Sequence, residues 1–158
     1  MKAFAMDRYG GPDVVTLREL PEPEPGLVIR YDYLWTREHA TGRELGKERP
    51  ACLVAAMEPT RSPRFVIILP ITHSKPDAST VGIEIPANIR SAIGLDDEPC
   101  WVIVSEYNID EWPNGGLAPL PGQPGKFSYG FIPPRLFSQI RAAFLELRAR
   151  KQSSGVRR

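Results

Sequence analysis

The sequence predicts a small, mainly β fold, a barrel or half-open sheet packed by one C-terminal helix. Short runs rich in β-branched and aromatic residues recur between turn signals. Proline occupies 17 of 158 positions, about twice the ordinary share. It clusters at Pro21–Pro25, Pro113–Pro124 and Pro133–Pro134, which suits short strands better than long helices. One long segment near the C-terminus carries an apolar stripe at helical spacing.

Residues 1–26 are expected to form an N-terminal extension or linker. A short hairpin around Gly10–Gly11 is followed by the Pro-Glu repeat Pro21–Gly26, which favours an extended, polyproline-like conformation. Leu27–Trp35 reads as a strand, and Thr36–Lys47, with Gly42 and Gly46, as a polar loop. Pro50–Met57 and Phe65–Ile71 read as buried strands joined by a turn over Glu58–Arg64. Val81–Ile85 alternates and reads as a strand. Pro86–Ile93 reads as a short helix, because Pro86 suits a first turn and Gly94 an end. Cys100–Tyr107 reads as one strand and Asn108–Tyr129 as a long Gly/Pro-rich connection.

In the last helix, Leu136, Phe137, Ile140, Ala143, Phe144 and Leu147 share one face. Residues 152–158 are expected to be a basic, disordered tail, so the domain runs over 27–151. Strands and helices do not alternate as a doubly wound fold requires.

The bulk numbers exclude several classes. A net charge of +1 gives no global field for nucleic acid, so any such function needs a local patch. Cys52 and Cys100 sit in apolar runs without CxxC spacing and read as buried free thiols of a reducing cytosol. The longest apolar run, Phe65–Leu69, is far too short to span a bilayer. The first residues lack a secretory h-region. A cytoplasmic location, without membrane contact, is the expectation.

Three polar stretches stand beside the expected strands: Gly42–Pro50 (GRELGKERP), Pro70–Ser74 (PITHS) and Ser105–Tyr107 (SEY). Polar groups at strand ends, held by a rigid core, commonly build sites. Over residues 27–147 the chain resembles the MazF/PemK toxins of bacterial toxin–antitoxin pairs. The residues that carry the resemblance are Arg30-Tyr31-Asp32-Tyr33-Leu34-Trp35, then Glu44-Leu45-Gly46-Lys47-Glu48-Arg49-Pro50, then Leu69-Pro70-Ile71-Thr72, then Val104-Ser105-Glu106 with Trp112. The departures are Tyr31 for the family's glycine, Leu45 for its glutamine, and the long connection after Asn108.

The resemblance implies an SH3-like barrel of the MazF/PemK/CcdB type, dimeric, with a cognate antitoxin peptide as partner and no cofactor or metal. It implies sequence-selective scission of single-stranded RNA by attack of the 2′-OH on the adjacent phosphate. Arg49 matches the catalytic arginine, and its guanidinium fork suits phosphate oxygens better than a base role, since arginine does not deprotonate. Thr72 matches the catalytic threonine and Glu44 a loop acid able to serve as base. Arg43, Lys47, His73 and Trp35 complete the expected RNA-binding set.

Each residue also has a plainer role. Arg49 would pair with Glu44 or Glu106 at the surface. Thr72 would be a β-former, Trp35 core, and His73 exposed on the far side of the strand from Thr72. The C-terminal basic residues would be a solvated face. A catalytically inactive or gyrase-binding module on the same barrel is the alternative function.

Residues 1–26 resemble the first strands of quinone oxidoreductases, through Met1-Lys2-Ala3, Gly10–Val15 and Pro21–Gly26. No GxGxxG follows, so the segment is expected to be a fused or mis-started extension without redox function.

Overall fold

The computed structural model describes residues 2–6, 15–57 and 64–158. Among them the elements run β1 (Lys2–Met6), β2 (Val15–Glu19), β3 (Leu27–Tyr33), α1 (Thr36–His39), β4 (Lys47–Met57), β5 (Arg64–Thr72), β6 (Gly82–Glu84) and α2 (Ala87–Ala92). They continue with β7 (Trp101–Ile103), β8 (Glu106–Trp112), β9 (Ser128–Phe131), α3 (Pro134–Ala149) and β10 (Ser154–Arg157). β1 and β2 pair antiparallel as a separate two-stranded ribbon. The Gly10–Gly11 tip, and the turn over 58–63, lie outside the described residues.

The main sheet is open and eight-stranded. Its path is β10-β8-β5-β4-β3-β9, with β7 paired to β5 and β6 paired to β7. Every pair is antiparallel except β10 with β8. The apolar runs of β3, β4 and β5 are continuous because both faces of these strands are covered. Val28, Cys52, Val54, Ile67, Leu69 and Ile71 join the core that includes α3. Their alternate neighbours Ile29, Ala51, Leu53, Val66 and Ile68 join a second core with Tyr31, Tyr33, Trp35 and Trp112. On α3, Leu136, Ile140 and Phe144 are buried, with Phe137, Ala143 and Leu147 packed beside them. Each fully buried large side chain stabilises by about 1.5–3 kcal/mol.

The sheet curls strongly. β3 and β8 are three strands apart, which is about 14 Å in a flat sheet. Yet the Asn108 side chain on β8 bonds both backbone groups of Leu34, just past β3: Leu34 N–H donates to Oδ1 at 3.1 Å and Nδ2 donates to Leu34 C=O at 2.8 Å. Tyr31 Oη donates to Asp110 Oδ2 at 2.7 Å, and Tyr33 Oη to Glu106 Oε1 at 3.1 Å. These bonds close the seam between β3 and β8 with side chains instead of a ladder.

Several elements differ from their sequence expectations. The Thr36–Lys47 loop contains the single turn α1. The expected strand Cys100–Tyr107 is two strands. Its residues bend at Val104–Ser105, where Val104 N–H donates to Val81 C=O and Ser105 Oγ accepts the Val81 N–H at 2.9 Å. That bend lets β7 serve β6 while β8 stays on β5 and runs on to Trp112, so the connection begins at Pro113. The tail expected to be disordered is also different. Residues 154–157 form β10 beside β8, with Val156 buried and a Thr36–Ser154 hydroxyl contact at 3.1 Å tying it to α1. The unpaired edge of β8 gives these polar residues a hydrogen-bonding partner that composition does not reveal. No helix among the described residues is long and apolar enough to cross a membrane.

Candidate functional site

Where β4 begins and β5 ends, the sheet opens into a cleft of about 600 Å³. Its walls are Lys47–Pro50 of β4, Ile71 and Thr72 of β5 with the following His73, the turn after α2, the connection around Gln123 and Lys126, and Tyr129 of β9. Antiparallel register puts these strand ends together. Pro50 lies opposite Arg30 on β3, and Ala51 opposite Pro70 on β5. Arg49 stands two residues before Ala51 and Thr72 two residues after Pro70, so both lie just beyond the last paired position of β4 and β5.

Arg30, Lys47, Arg49 and Lys126 stand in the lining against the carboxylates of Glu48 and Asp96. The nearly neutral chain thus concentrates positive charge where a polyanion can enter. Arg30 is held from both sides: Nε lies 3.5 Å from Glu48 Oε2, and Nη1 donates to Tyr129 Oη at 3.4 Å.

Arg49 is half-buried, with its guanidinium 5.1 Å from the Trp35 ring centroid and Arg37 at 4.9 Å from the same ring. Its Nε is buried without a hydrogen-bond partner. Burial, the largest cause, lowers its pKa, Glu38 opposes this and Arg37 adds to it. An arginine so placed stays charged, and the neighbours of its guanidinium, Trp35, Arg37 and Glu38, lie outside the cleft lining.

Thr72 is 9% exposed, and its Oγ1 accepts the Ser74 N–H at 3.1 Å. The hydroxyl proton is thereby left to point elsewhere. His73 is exposed. Its Nε2 lies 3.0 Å from Asp96 Oδ2, its Nδ1 2.9 Å from the Pro99 carbonyl, and Glu98 is 3.8 Å away. Only the imidazolium can donate to both nearest oxygens. The Pro99 carbonyl, with Asp96 and Glu98 behind it, raises its pKa against the opposing effect of burial.

The structure does not assemble the whole expected set. Arg49, Thr72, Lys47 and His73 come together at the cleft. Glu44 does not: it is exposed and outside the lining, and the carboxylate its loop delivers is Glu48. Glu44 lies in the loop before β4, whereas Glu48 is fixed in the β3–β4 ladder opposite Asp32. Arg43 is exposed and outside the lining as well, paired with Glu38 at 3.1 Å. Trp35 is only 6% exposed and packs edge-on to Tyr33 at 5.2 Å, so it supports two arginines and offers no open face to a base.

Arg30, Glu48, Lys126 and Tyr129 are cleft residues that the sequence reading did not select. Arg30 heads the Arg30–Trp35 stretch, so a signal for it exists in the sequence. Lys126 and Tyr129 arrive through a Gly/Pro-rich connection whose path no periodicity encodes.

Fold and cleft define a class, a mainly β protein with a cation-rich cleft at the end of a curled sheet. No family model, curated protein or solved structure matches the chain.

Proposed function

We propose that this chain is a metal-independent endoribonuclease of the MazF/PemK toxin type, on an SH3-like barrel, acting on single-stranded RNA in the cytoplasm as a homodimer restrained by an antitoxin peptide. The observation that carries the reading is the meeting of Arg49 and Thr72, from separate strands, at one cleft with a cationic excess. Lys47, Lys126 and Arg30 attract and seat the backbone phosphates. Arg49 and the Thr72 hydroxyl stabilise charge on the reacting phosphate. Glu48 takes the proton of the 2′-OH as the 2′-oxygen bonds to phosphorus. His73 gives its proton to the departing 5′-oxygen as the P–O5′ bond breaks, leaving a cyclic phosphate and a 5′-hydroxyl.

The test is incubation of purified protein with total single-stranded RNA in EDTA, beside Arg49→Ala, with mapping of fragment ends. Discrete cuts bearing 5′-hydroxyls are expected from wild type, with a loss on the order of 100-fold or more in the folded variant. Equal cutting by both removes Arg49 from the mechanism.

A second reading has its own support: a binding module that does not cut. The Arg49 guanidinium packs on Trp35, and Glu44 stands outside the cleft. Intact RNA in both tubes, with RNA retained by wild type in a gel shift, favours that module.

A further inference from the structure

Arg158 reaches from the end of β10 across the seam of the curled sheet. Nη1 donates to the Asp32 carbonyl at 2.6 Å and approaches Asn108 Oδ1 at 3.4 Å. Nη2 donates to Asp32 Oδ2 at 3.1 Å and to the Glu44 carbonyl at 3.1 Å. The same Asp32 oxygen accepts the Gly46 N–H at 3.3 Å. The two side chains are largely shielded, at 14% and 21% exposure. One guanidinium fork therefore grips β3, β8 and the loop between α1 and β4 together.

That loop leads directly into Lys47, Glu48 and Arg49 of the cleft. Gly46 fits because it has no side chain: a Cβ there would overlap the Tyr33 carbonyl. The Gly46 backbone thus lies close against the end of β3, with Asp32 accepting its N–H and Arg158 holding the Glu44 carbonyl. Neighbouring Arg157 does something else, with its guanidinium 5.1 Å from the Phe65 ring.

We propose that Arg158 is a positioning residue for the candidate site, clamping the Glu44–Gly46 backbone so that Lys47 is presented to the substrate's phosphates. Its bearing on RNA cleavage rests on the ribonuclease reading, whereas the clamp itself does not. Lys47, opposite Tyr33, is the terminal pair of the β3–β4 ladder and adjoins the clamped backbone, whereas Arg49, opposite Tyr31, lies two residues further in. Loss of the clamp therefore weakens substrate capture more than it slows the chemical step.

The test compares wild type, Arg158→Ala, and Arg157→Ala as a control for loss of charge on β10. Amide hydrogen exchange of Gly46 is read by NMR, with Val54 in β4 reporting global opening. Arg158→Ala is expected to speed Gly46 exchange about tenfold beyond any change at Val54, given the strength of hydrogen bonds to charged groups. Arg157→Ala leaves Gly46 as in wild type. Should Arg158→Ala not fold, Arg158→Gln, which keeps much of the apolar stem, carries the same comparison. Gly46 exchange that matches wild type, or that rises only in step with Val54, overturns the clamp.

In the cleavage assay the same variant raises KM about tenfold with kcat within about twofold. An unchanged KM in an enzyme with faster Gly46 exchange overturns the link to substrate capture. Absence of cutting by wild type strikes the ribonuclease reading alone, since the exchange result still decides the clamp.

Discussion

Asn108→Ala tests the seam that shapes the whole molecule. Asn108 is fully buried and supplies Leu34 with both halves of a missing strand partner, an acceptor for its N–H and a donor for its carbonyl. Leu34 is itself buried, so truncation leaves two backbone groups without partners and without water. Each orphaned group costs about 1–3 kcal/mol, which bounds the loss at about 2–6 kcal/mol. We expect about 3 kcal/mol, because the smaller side chain leaves room for some relaxation. For a chain of this length that is a fall in Tm of roughly 6–12 °C. Urea unfolding followed by fluorescence of Trp35, Trp101 and Trp112 gives the number directly. A variant within about 1 kcal/mol of wild type at unchanged m refutes the claim that side chains across the curl hold β3 to β8.

Three further outcomes follow from the site and its surroundings. Gly46→Ala forces a Cβ into the Tyr33 carbonyl, a backbone obstacle that cannot swing aside, and should cost on the order of 3 kcal/mol in urea unfolding. The raised pKa of His73 makes its contribution to stability fully present below 6.5, lost as pH rises through the folded value. His73→Gln should flatten that part of the stability curve, which unfolding midpoints at pH 6 and pH 8 will show. Glu106 acts in the same direction, in a more acidic range. Burial, the largest cause, lifts its pKa above 4.5 despite bonds from Thr36 and Tyr33, so the folded state holds the proton more tightly than the unfolded chain. Stability falls as pH climbs from 4.5 through the folded value, and Glu106→Gln should remove that fall without loss at pH 7.

The parts of the fold legible in the sequence are those set by local pattern. Leu27–Tyr33, the β4 and β5 runs and the Leu136–Leu147 stripe each carry their period within a few residues, and the side chains can meet their burial only as strands or as that helix. Arg49 and Thr72 were each legible in a motif along the chain, and both line the one cleft. What puts the start of β4 beside the end of β5 is their antiparallel register, which is a property of two segments and not of either one.

The sequence by itself determined that this chain has short strands, one amphipathic C-terminal helix, buried free thiols at Cys52 and Cys100, and a glycine-hinged polar loop before a buried strand. Only the tertiary structure decided that the sheet curls until Asn108 reaches Leu34, that the last basic residues become β10, and that Arg158 grips the loop. It likewise decided that Glu48 faces the cleft in place of Glu44, and that Lys126 and Tyr129 complete its wall. The physical reason is the same in each case. Periodicity reports which side of a segment is buried, whereas the partner it meets across a curled sheet depends on register, bend and long-range closure summed over the whole chain.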